Sequence, residues 1–342
     1  MEKNSKERPE MSGSVRFGIL GLGMGANRAR LIPKTVGAEL RCVCDLQEEK
    51  ARMVAEELEC DWTVNYDEML ARDDIDVVGV FTPSGTHCDL AIKAMESGKH
   101  AFVTKPMDIR VEKCDAAIKS AVDSGVYLAV DFGQRYSDTN QKIKMALDHG
   151  RLGKLIIGDL RMKWYRDQQY YEGGHPPGWR KRTVTEGGSA ANQAIHFIDL
   201  LQWFMGPVET VYGRYGTFAH EIETEDVSIA LLTFRSGAWG SLVTTTTSYP
   251  SLGSIIEMTG DNGSLVWSEG NITLYKLKNN SEPSLDEFQL DPDRPRNIIE
   301  DMVSAIQKSK PVMVNGQEGR KSVAILNAIY ESSMAGKPVK PS

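Results

Sequence analysis

The sequence predicts an α/β protein in two parts. A doubly wound parallel domain covers residues 15–132, and an α+β domain built on a large, mostly antiparallel, open-faced sheet covers residues 133–342. Three observations carry that prediction. Between Val15 and Asp131, short apolar runs alternate with helical segments, as in successive strand–helix–strand units of a parallel sheet. After Leu155, strand-like runs follow one another directly, and many are amphipathic or rich in Thr. Such runs suit an antiparallel sheet with one face open or used for self-association. A chain of 342 residues is long enough for each part to bury its own core.

Residues 1–14, MEKNSKERPEMSGS, are polar, lack the apolar core of a signal peptide and are expected to form a disordered tail. Val15, Phe17, Ile19 and Leu20 then make a buried strand, followed at once by Gly21, Gly23, Met24, Gly25 and Ala26. Helical spacing runs on through Ala29, Leu31 and Ile32, and a second apolar strand, Leu40 to Cys44, ends on Asp45. This is the G-x-G-x-x-A dinucleotide fingerprint of a Rossmann domain in its strand–turn–helix–strand–acid context. Gly21 allows the tight turn, Gly23 lets a pyrophosphate approach the backbone, and Ala26 keeps helix and strand close. The unpaired N–H groups of the helix start face the phosphates. Asp45 is placed to accept from the adenosine ribose hydroxyls. It would repel a 2′-phosphate and no Arg follows it at once, so NAD is preferred over NADP.

The remaining elements of the first domain read in order. Glu48–Leu58 is an amphipathic helix, Trp62–Val64 a short strand, Asp67–Ala71 a helical turn and Ile75–Phe81 a central strand. His87–Ser97 is helical and stopped by Gly98. His100–Val103 is a strand, Val111–Ser124 a helix ended by Gly125, and Val126–Asp131 a strand. Ligands in such sheets sit beyond the carboxyl ends of the strands, so the loops after Phe81, Val103 and Asp131 face the nucleotide.

The second domain begins near Phe132–Tyr136, where Arg135 is a candidate for the cofactor or for an interdomain contact. Ser137–His149 is helical, and Leu155–Trp164 opens the sheet. Its later strands are Val208–Phe218, Asp226–Phe234, Ala238–Thr247, Ser254–Thr259, Ser264–Trp267 and Ile272–Leu277. Arg296–Lys308 and Glu318–Met334 are closing helices. A helix entered through Gly187, Gly188 and Ser189 runs to Phe204, where Gly206-Pro207 stops it. On that helix Asn192, His196, Asp199 and Trp203 are spaced by four, three and four and are expected to share a face. The loop Tyr165–Arg182 is rich in aromatic and cationic groups, which stack on sugar C–H surfaces and fork onto hydroxyls or carboxylates.

Composition narrows the function classes. The formal net charge of −7 argues against nucleic acid and against an anionic membrane surface, and no apolar run reaches the roughly 18 residues needed to span a bilayer. The five cysteines (Cys42, Cys44, Cys60, Cys88, Cys114) lack C-x-x-C spacing, and are expected as free thiols in a reducing cytoplasm with no metal site.

The glycine stretch, Thr82-Pro83-Ser84-Gly85-Thr86-His87, and Gly98-Lys99-His100-Ala101-Phe102-Val103-Thr104-Lys105-Pro106 together resemble the Gfo/Idh/MocA family, relatives of glucose–fructose oxidoreductase and inositol dehydrogenase. The resemblance continues through Arg151-Leu152-Gly153-Lys154, Trp179-Arg180, Gly187 to Asp199, and Gly316, Gly319 and Tyr330, so it covers about Val15 to Val339. It implies that Thr82, Pro83, His87, Lys105, Pro106, Trp179 and Arg180 border the cofactor. It also implies that Lys105 joins Asn192 and His196 in the active site. Three positions depart from the family pattern: Thr104 stands where the family has Glu before the Lys, Asn192 where it has Asp, and Ala194 where it has Gly. Asn192 can orient a hydroxyl but cannot take up a proton. Proton transfer then falls to His196, with an ordinary pKa near 6.5, assisted by Lys105, whose ammonium is destabilised by burial and by an oxidised nicotinamide.

The resemblance thus implies an NAD(P)-dependent oxidoreductase acting on a secondary alcohol of a sugar, cyclitol or sugar derivative, a homodimer or homotetramer through the C-terminal sheet. Two other readings stay open: an NAD-dependent glycosidase working by transient oxidation and elimination, and a non-catalytic nucleotide-sensing regulator.

Overall fold

The structure, a computed structural model, describes residues 13–342; the expected disordered tail falls almost wholly outside the described residues. The first domain is a six-stranded, all-parallel sheet of β1 (Val15–Leu20), β2 (Ala38–Cys44), β3 (Asp61–Thr63), β4 (Val77–Val80), β5 (His100–Thr104) and β6 (Leu128–Asp131). Helices α1 (Gly25–Ala29), α2 (Glu48–Leu58), α3 (Tyr66–Leu70), α4 (His87–Glu96) and α5 (Val111–Ser124) connect them. The strand order is β3-β2-β1-β4-β5-β6, so the chain reverses direction across the sheet between β1 and β4. In doubly wound sheets the ligand crevice opens at that point, beyond the strand carboxyl ends. Every residue of β4 is buried, as expected of a central strand covered on both faces, and the edge strand β6 is also buried throughout.

The first helix is shorter than its spacing suggests. It ends at Ala29, and Ile32–Lys34 form a separate 3₁₀ turn. Pro33 has no N–H to return to the Ala29 carbonyl, so the α-helical ladder stops there.

The second domain holds seven strands: β7 (Leu155–Lys163), β8 (Val208–Gly216), β9 (Val227–Phe234), β10 (Trp239–Thr245), β11 (Gly253–Gly260), β12 (Gly263–Ser268) and β13 (Asn271–Leu277). Their order is β13-β12-β11-β7-β10-β9-β8, and all neighbours are antiparallel except β7 with β10. The helical elements are α6 (Asp138–Asp148), α7 (Gln168–Glu172), α8 (Ile195–Met205), α9 (Ile298–Lys308) and α10 (Gly316–Ala335). The inward face of the sheet (Leu160, Met162, Leu232, Leu242, Ile256, Met258) packs on Phe197, Leu201 and Phe204 of α8 and on Leu326 and Ile329 of α10. Its other face leaves Tyr212, Ile229, Leu231 and Trp239 exposed.

The C-terminal part of the chain returns to the first domain. Ile298, Ile299, Met302, Val303 and Ile306 of α9 share a core with Val15, Phe17 and Ile32. Asn315, just before α10, bridges Ala129 of β6. All five cysteines are free thiols, no described residues form a His/Cys/Asp/Glu cluster able to hold a metal, and no described helix is long and apolar enough to cross a membrane.

The helix expected from Ser189 to Phe204 is two elements. Ser189–Ala194 is a π-helical turn, and α8 begins only at Ile195. Gly188 permits this entry, because a Cβ there would lie 1.8 Å from the carbonyl oxygen of Glu225. The wider π turn changes the rotation per residue, so side chains before and after it no longer line one α-helical face. Asn192 faces Glu186 and Tyr170, His196 lies edge-on to Phe132, and Asp199 and Trp203 meet Arg135.

Candidate active site

At the β1–α1 turn, Gly21 has φ +84°, and a Cβ there would sit 2.6 Å from the Phe81 carbonyl oxygen. Only glycine fits that approach. A Cβ on Gly23 would meet nothing within 4 Å, so its backbone borders an open cradle of the kind a pyrophosphate occupies. The closest helix-to-strand packing falls on Gly25, 3.0 Å from the Phe81 side chain, rather than on Ala26, while Met24 is largely exposed. Asp45 closes the cradle. Its Oδ2 accepts from the Leu22 N–H at 2.7 Å and its Oδ1 from the Gln47 N–H at 2.9 Å, with Lys50 Nζ at 3.7 Å. The carboxylate therefore straps the glycine turn to the end of β2 and keeps lone pairs for ribose hydroxyls. These residues fit a dinucleotide.

Two loops complete the cofactor side. Thr82 Oγ1 and Thr86 Oγ1 are hydrogen-bonded at 2.8 Å across Pro83 and the short Ser84–Thr86 turn. His87 is not turned toward the cleft. Its ring nitrogens lie 2.7 Å from the Thr82 carbonyl oxygen and 2.8 Å from that of Pro106, so it clamps the loop after β4 to the loop after β5. Burial lowers its pKa. Arg135 is likewise committed to protein partners. It is 3% exposed, forks onto the fully buried Asp199 with bonds of 2.7 and 2.8 Å, and stacks on Trp203. Its guanidinium is spent on joining the Gly133–Tyr136 turn to α8.

Lys105, half-buried beside Pro106 in a cis peptide, projects from the end of β5 and donates to the Asn192 backbone carbonyl at 2.6 Å. Burial lowers its pKa to about 8, against the opposing pull of Glu186 and Asp131. His196 stands on the same side. Burial, together with the positive charges of Lys105 and Arg28, holds its pKa well below the ordinary value, and its Nδ1 is buried without a hydrogen-bond partner. The ordinary imidazole value near 6.5 therefore does not apply to His196: the ring is neutral at pH 7, and the Lys105 pKa of about 8 lies nearer to it.

Several contributors lay outside the residues singled out from sequence. Arg28 of α1 donates to Asp131 at the end of β6 at 2.6 Å, fixing the glycine turn against the strand next to Lys105. Glu186 is buried and accepts from Ser84 Oγ (2.9 Å), Asn192 Nδ2 (2.7 Å) and the Gly187 N–H (3.1 Å). Tyr170 donates to Asn192 Oδ1 at 3.2 Å and accepts from Gln193 Nε2 at 2.7 Å, while Arg166 donates to Gln193 Oε1 at 2.8 Å. Around them guanidinium and aromatic groups alternate. Arg166 lies 5.3 Å from the Trp164 and Tyr170 rings, and Arg180 lies 4.7 Å from Tyr170 and 4.6 Å from Trp179. The aromatic–cationic composition of this loop was the available signal for Tyr170 and Arg166; Glu186 had none beyond its place before Gly187-Gly188.

Known proteins share this architecture. The oxidoreductase-family model for an NAD-binding Rossmann fold matches residues 15–132, and the model for that family's C-terminal alpha/beta domain matches residues 144–340. The scyllo-inositol 2-dehydrogenase (NAD(+)) of Bacillus subtilis (strain 168) is 30% identical over 290 residues, covering 82% of each chain. The WlbA dehydrogenase from Bordetella pertussis, solved with NADH and UDP-GlcNAcA, superimposes with a TM-score of 0.87 at 31% identity, over 96% of this chain and 98% of that one. The corresponding WlbA structure from Chromobacterium violaceum gives 0.88 at 29% identity, over 98% of each chain. With both family models in register along the sequence, the chain belongs to the Gfo/Idh/MocA family and is an NAD-dependent oxidoreductase.

Proposed function

We propose that this enzyme oxidises a secondary alcohol of an anionic sugar derivative, with Lys105 as the general base. The observation that carries the reading is Lys105, whose pKa of about 8 lies within reach of neutral pH at the mouth of the cofactor crevice. Bound NAD supplies the hydride acceptor. As the carbinol C–H bond yields its hydride, the hydroxyl proton passes to the neutral amine of Lys105 and the carbonyl forms. In the reverse direction the Lys105 ammonium returns the proton to the developing alkoxide. A neutral lysine can keep donating to the Asn192 carbonyl while its lone pair faces the substrate. The unpartnered Nδ1 of the neutral His196 supports a role in holding the reacting oxygen, and the Asn192 carboxamide, fixed by Glu186 and Tyr170, supports one in orienting the sugar.

Arg166 and Arg180, interleaved with Trp164, Tyr170 and Trp179, support an anionic and ring-shaped substrate. The two WlbA structures bind UDP-GlcNAcA, a sugar with both diphosphate and carboxylate groups, whereas the Bacillus subtilis relative is named for a neutral cyclitol. The exposed apolar face of the second sheet supports a homo-oligomer, and five reduced thiols suit the cytoplasm.

The test is formation of reduced nicotinamide, followed by absorbance, with NAD and a panel of nucleotide-linked sugar acids, free uronates, neutral sugars and cyclitols. Turnover of the acids is expected. Turnover of neutral cyclitols alone would remove the anionic part of the reading, and glycoside cleavage without net reduction of NAD would replace it with the elimination mechanism.

A further inference from the structure

The charge that keeps Lys105 workable comes from an unexpected position. A lysine buried with no counter-charge has its pKa driven far down and becomes too weak a base to take a hydroxyl proton. Thr104, its neighbour in the chain, brings no charge. Asp131, opposite Thr104 in the β5–β6 register, is already paired with Arg28 at 2.6 Å. Glu186 remains. It is 1% exposed, and among the described residues it forms no ion pair within contact distance; its oxygens take only neutral donors, from Ser84, Gly187 and Asn192. Glu186 and Lys105 meet at one residue: Lys105 Nζ binds the Asn192 carbonyl, and Glu186 binds the Asn192 carboxamide.

We propose that Glu186 is the positioning residue of this active site, a carboxylate supplied from the second domain that sets the basicity of Lys105 and fixes the Asn192 side chain. One segment thereby couples substrate orientation to proton transfer. The groups facing Lys105 act in known directions. Glu186 and Asp131 hold its proton on, burial takes it off, and its charge in turn depresses His87 and His196. Burial raises the pKa of Glu186 itself, while Ser84, Gly187, Lys105 and Asn192 oppose that rise.

The inference rests on Lys105 as base only for its effect on turnover, so two readouts are taken on the full-length protein. The first is the pH dependence of trace acetylation of Lys105 by acetic anhydride, followed by peptide mass spectrometry, which titrates the lysine without turnover. The second is the pH profile of alcohol oxidation. In E186Q the acetylation midpoint is expected to fall by about one pH unit, since a charge favouring the ammonium is gone. The acidic limb of the rate profile is expected to fall with it. E186D, which keeps the charge, is expected to return both toward the wild-type values. A midpoint unmoved in E186Q, or lowered as much in E186D, overturns the proposal. A midpoint that moves while the rate profile stays in place supports the charge assignment and removes Lys105 as the base.

Discussion

The Lys105 ammonium donates to the Asn192 carbonyl at 2.6 Å, so the end of a parallel strand in the first domain is latched to the π turn that precedes α8. Lys105→Met keeps much of the bulk and removes both the base and the latch. Turnover is expected to fall about 10²- to 10⁴-fold, the usual share of a general base. NAD affinity measured by calorimetry is expected to change little, because the cradle at Gly23 and Asp45 lies elsewhere. Near-wild-type turnover would take Lys105 out of the chemistry.

The pH dependence follows from the same group. With Lys105 proposed as the base, the reactive form is the neutral amine, and burial lowers its pKa to about 8. For alcohol oxidation, kcat/KM is therefore expected to rise about tenfold per pH unit below pH 8 and to level off above it. The positive ring of oxidised NAD pushes the pKa further down once bound, so the limb in kcat lies below that in kcat/KM. His196, already neutral, contributes no limb near 6.5. A limb at 6.5 that vanishes in His196→Gln would restore the histidine as the base.

Much of this architecture is legible in sequence, and the reasons are local. Buried parallel strands such as Val77–Val80 read as unbroken apolar runs, and the glycine turn with Asp45 is set by spacing within a single strand–helix–strand unit. What was not legible depends on distant partners. The His196 pKa is lowered first by burial and then by the charges of Lys105 and Arg28, from two other segments, and Arg135 found Asp199 sixty-four positions away. The π turn at Ser189–Ala194 hides because small residues are compatible with several helical windings, and Glu225 and Gly188 decide among them only in the fold.

The glycine turn separates binding from folding. A Cβ on Gly23 meets no protein atom, so Gly23→Ala is expected to leave the melting temperature unchanged while weakening NAD about tenfold, near 1.4 kcal/mol. Gly21→Ala combines φ +84° with a 2.6 Å approach to the Phe81 carbonyl oxygen and is expected to cost about 2 kcal/mol or more of stability. Thermal melts and NAD titrations of both variants check this pair; a destabilised Gly23→Ala with normal NAD affinity would contradict the open cradle.

Arg135 and Asp199 form an ion pair at 3% and 0% side-chain exposure. Removing one partner leaves an uncompensated buried charge, so Arg135→Met is expected to cost about 3–5 kcal/mol in chemical denaturation. If the pair only braces the Gly133–Tyr136 turn on α8, the fraction that stays folded binds NAD with unchanged affinity. A large loss of NAD affinity in a stable Arg135→Met protein would return this arginine to the cofactor.

The open sheet face yields the last prediction. Trp239 is 70% exposed beside Ile157 on β7, and Leu231, 61% exposed on β9, lies opposite Tyr212 on β8. These side chains point away from the core on neighbouring strands, and an apolar patch of that kind marks an association surface. Asp159 and Arg161 of β7, with Glu257 of β11 and Arg214 of β8, place charges of both signs along the same face. A second copy docking through the same patch can therefore pair opposite charges around an apolar centre. Leu231→Asp would bury an unpaired carboxylate at that centre. It is expected to convert an oligomer into monomers in sedimentation velocity, with the NAD site left intact because α8 and α10 separate it from the outer face. A wild-type protein that sediments as a monomer, or a Leu231→Asp protein that stays assembled, would rule out this face as the contact.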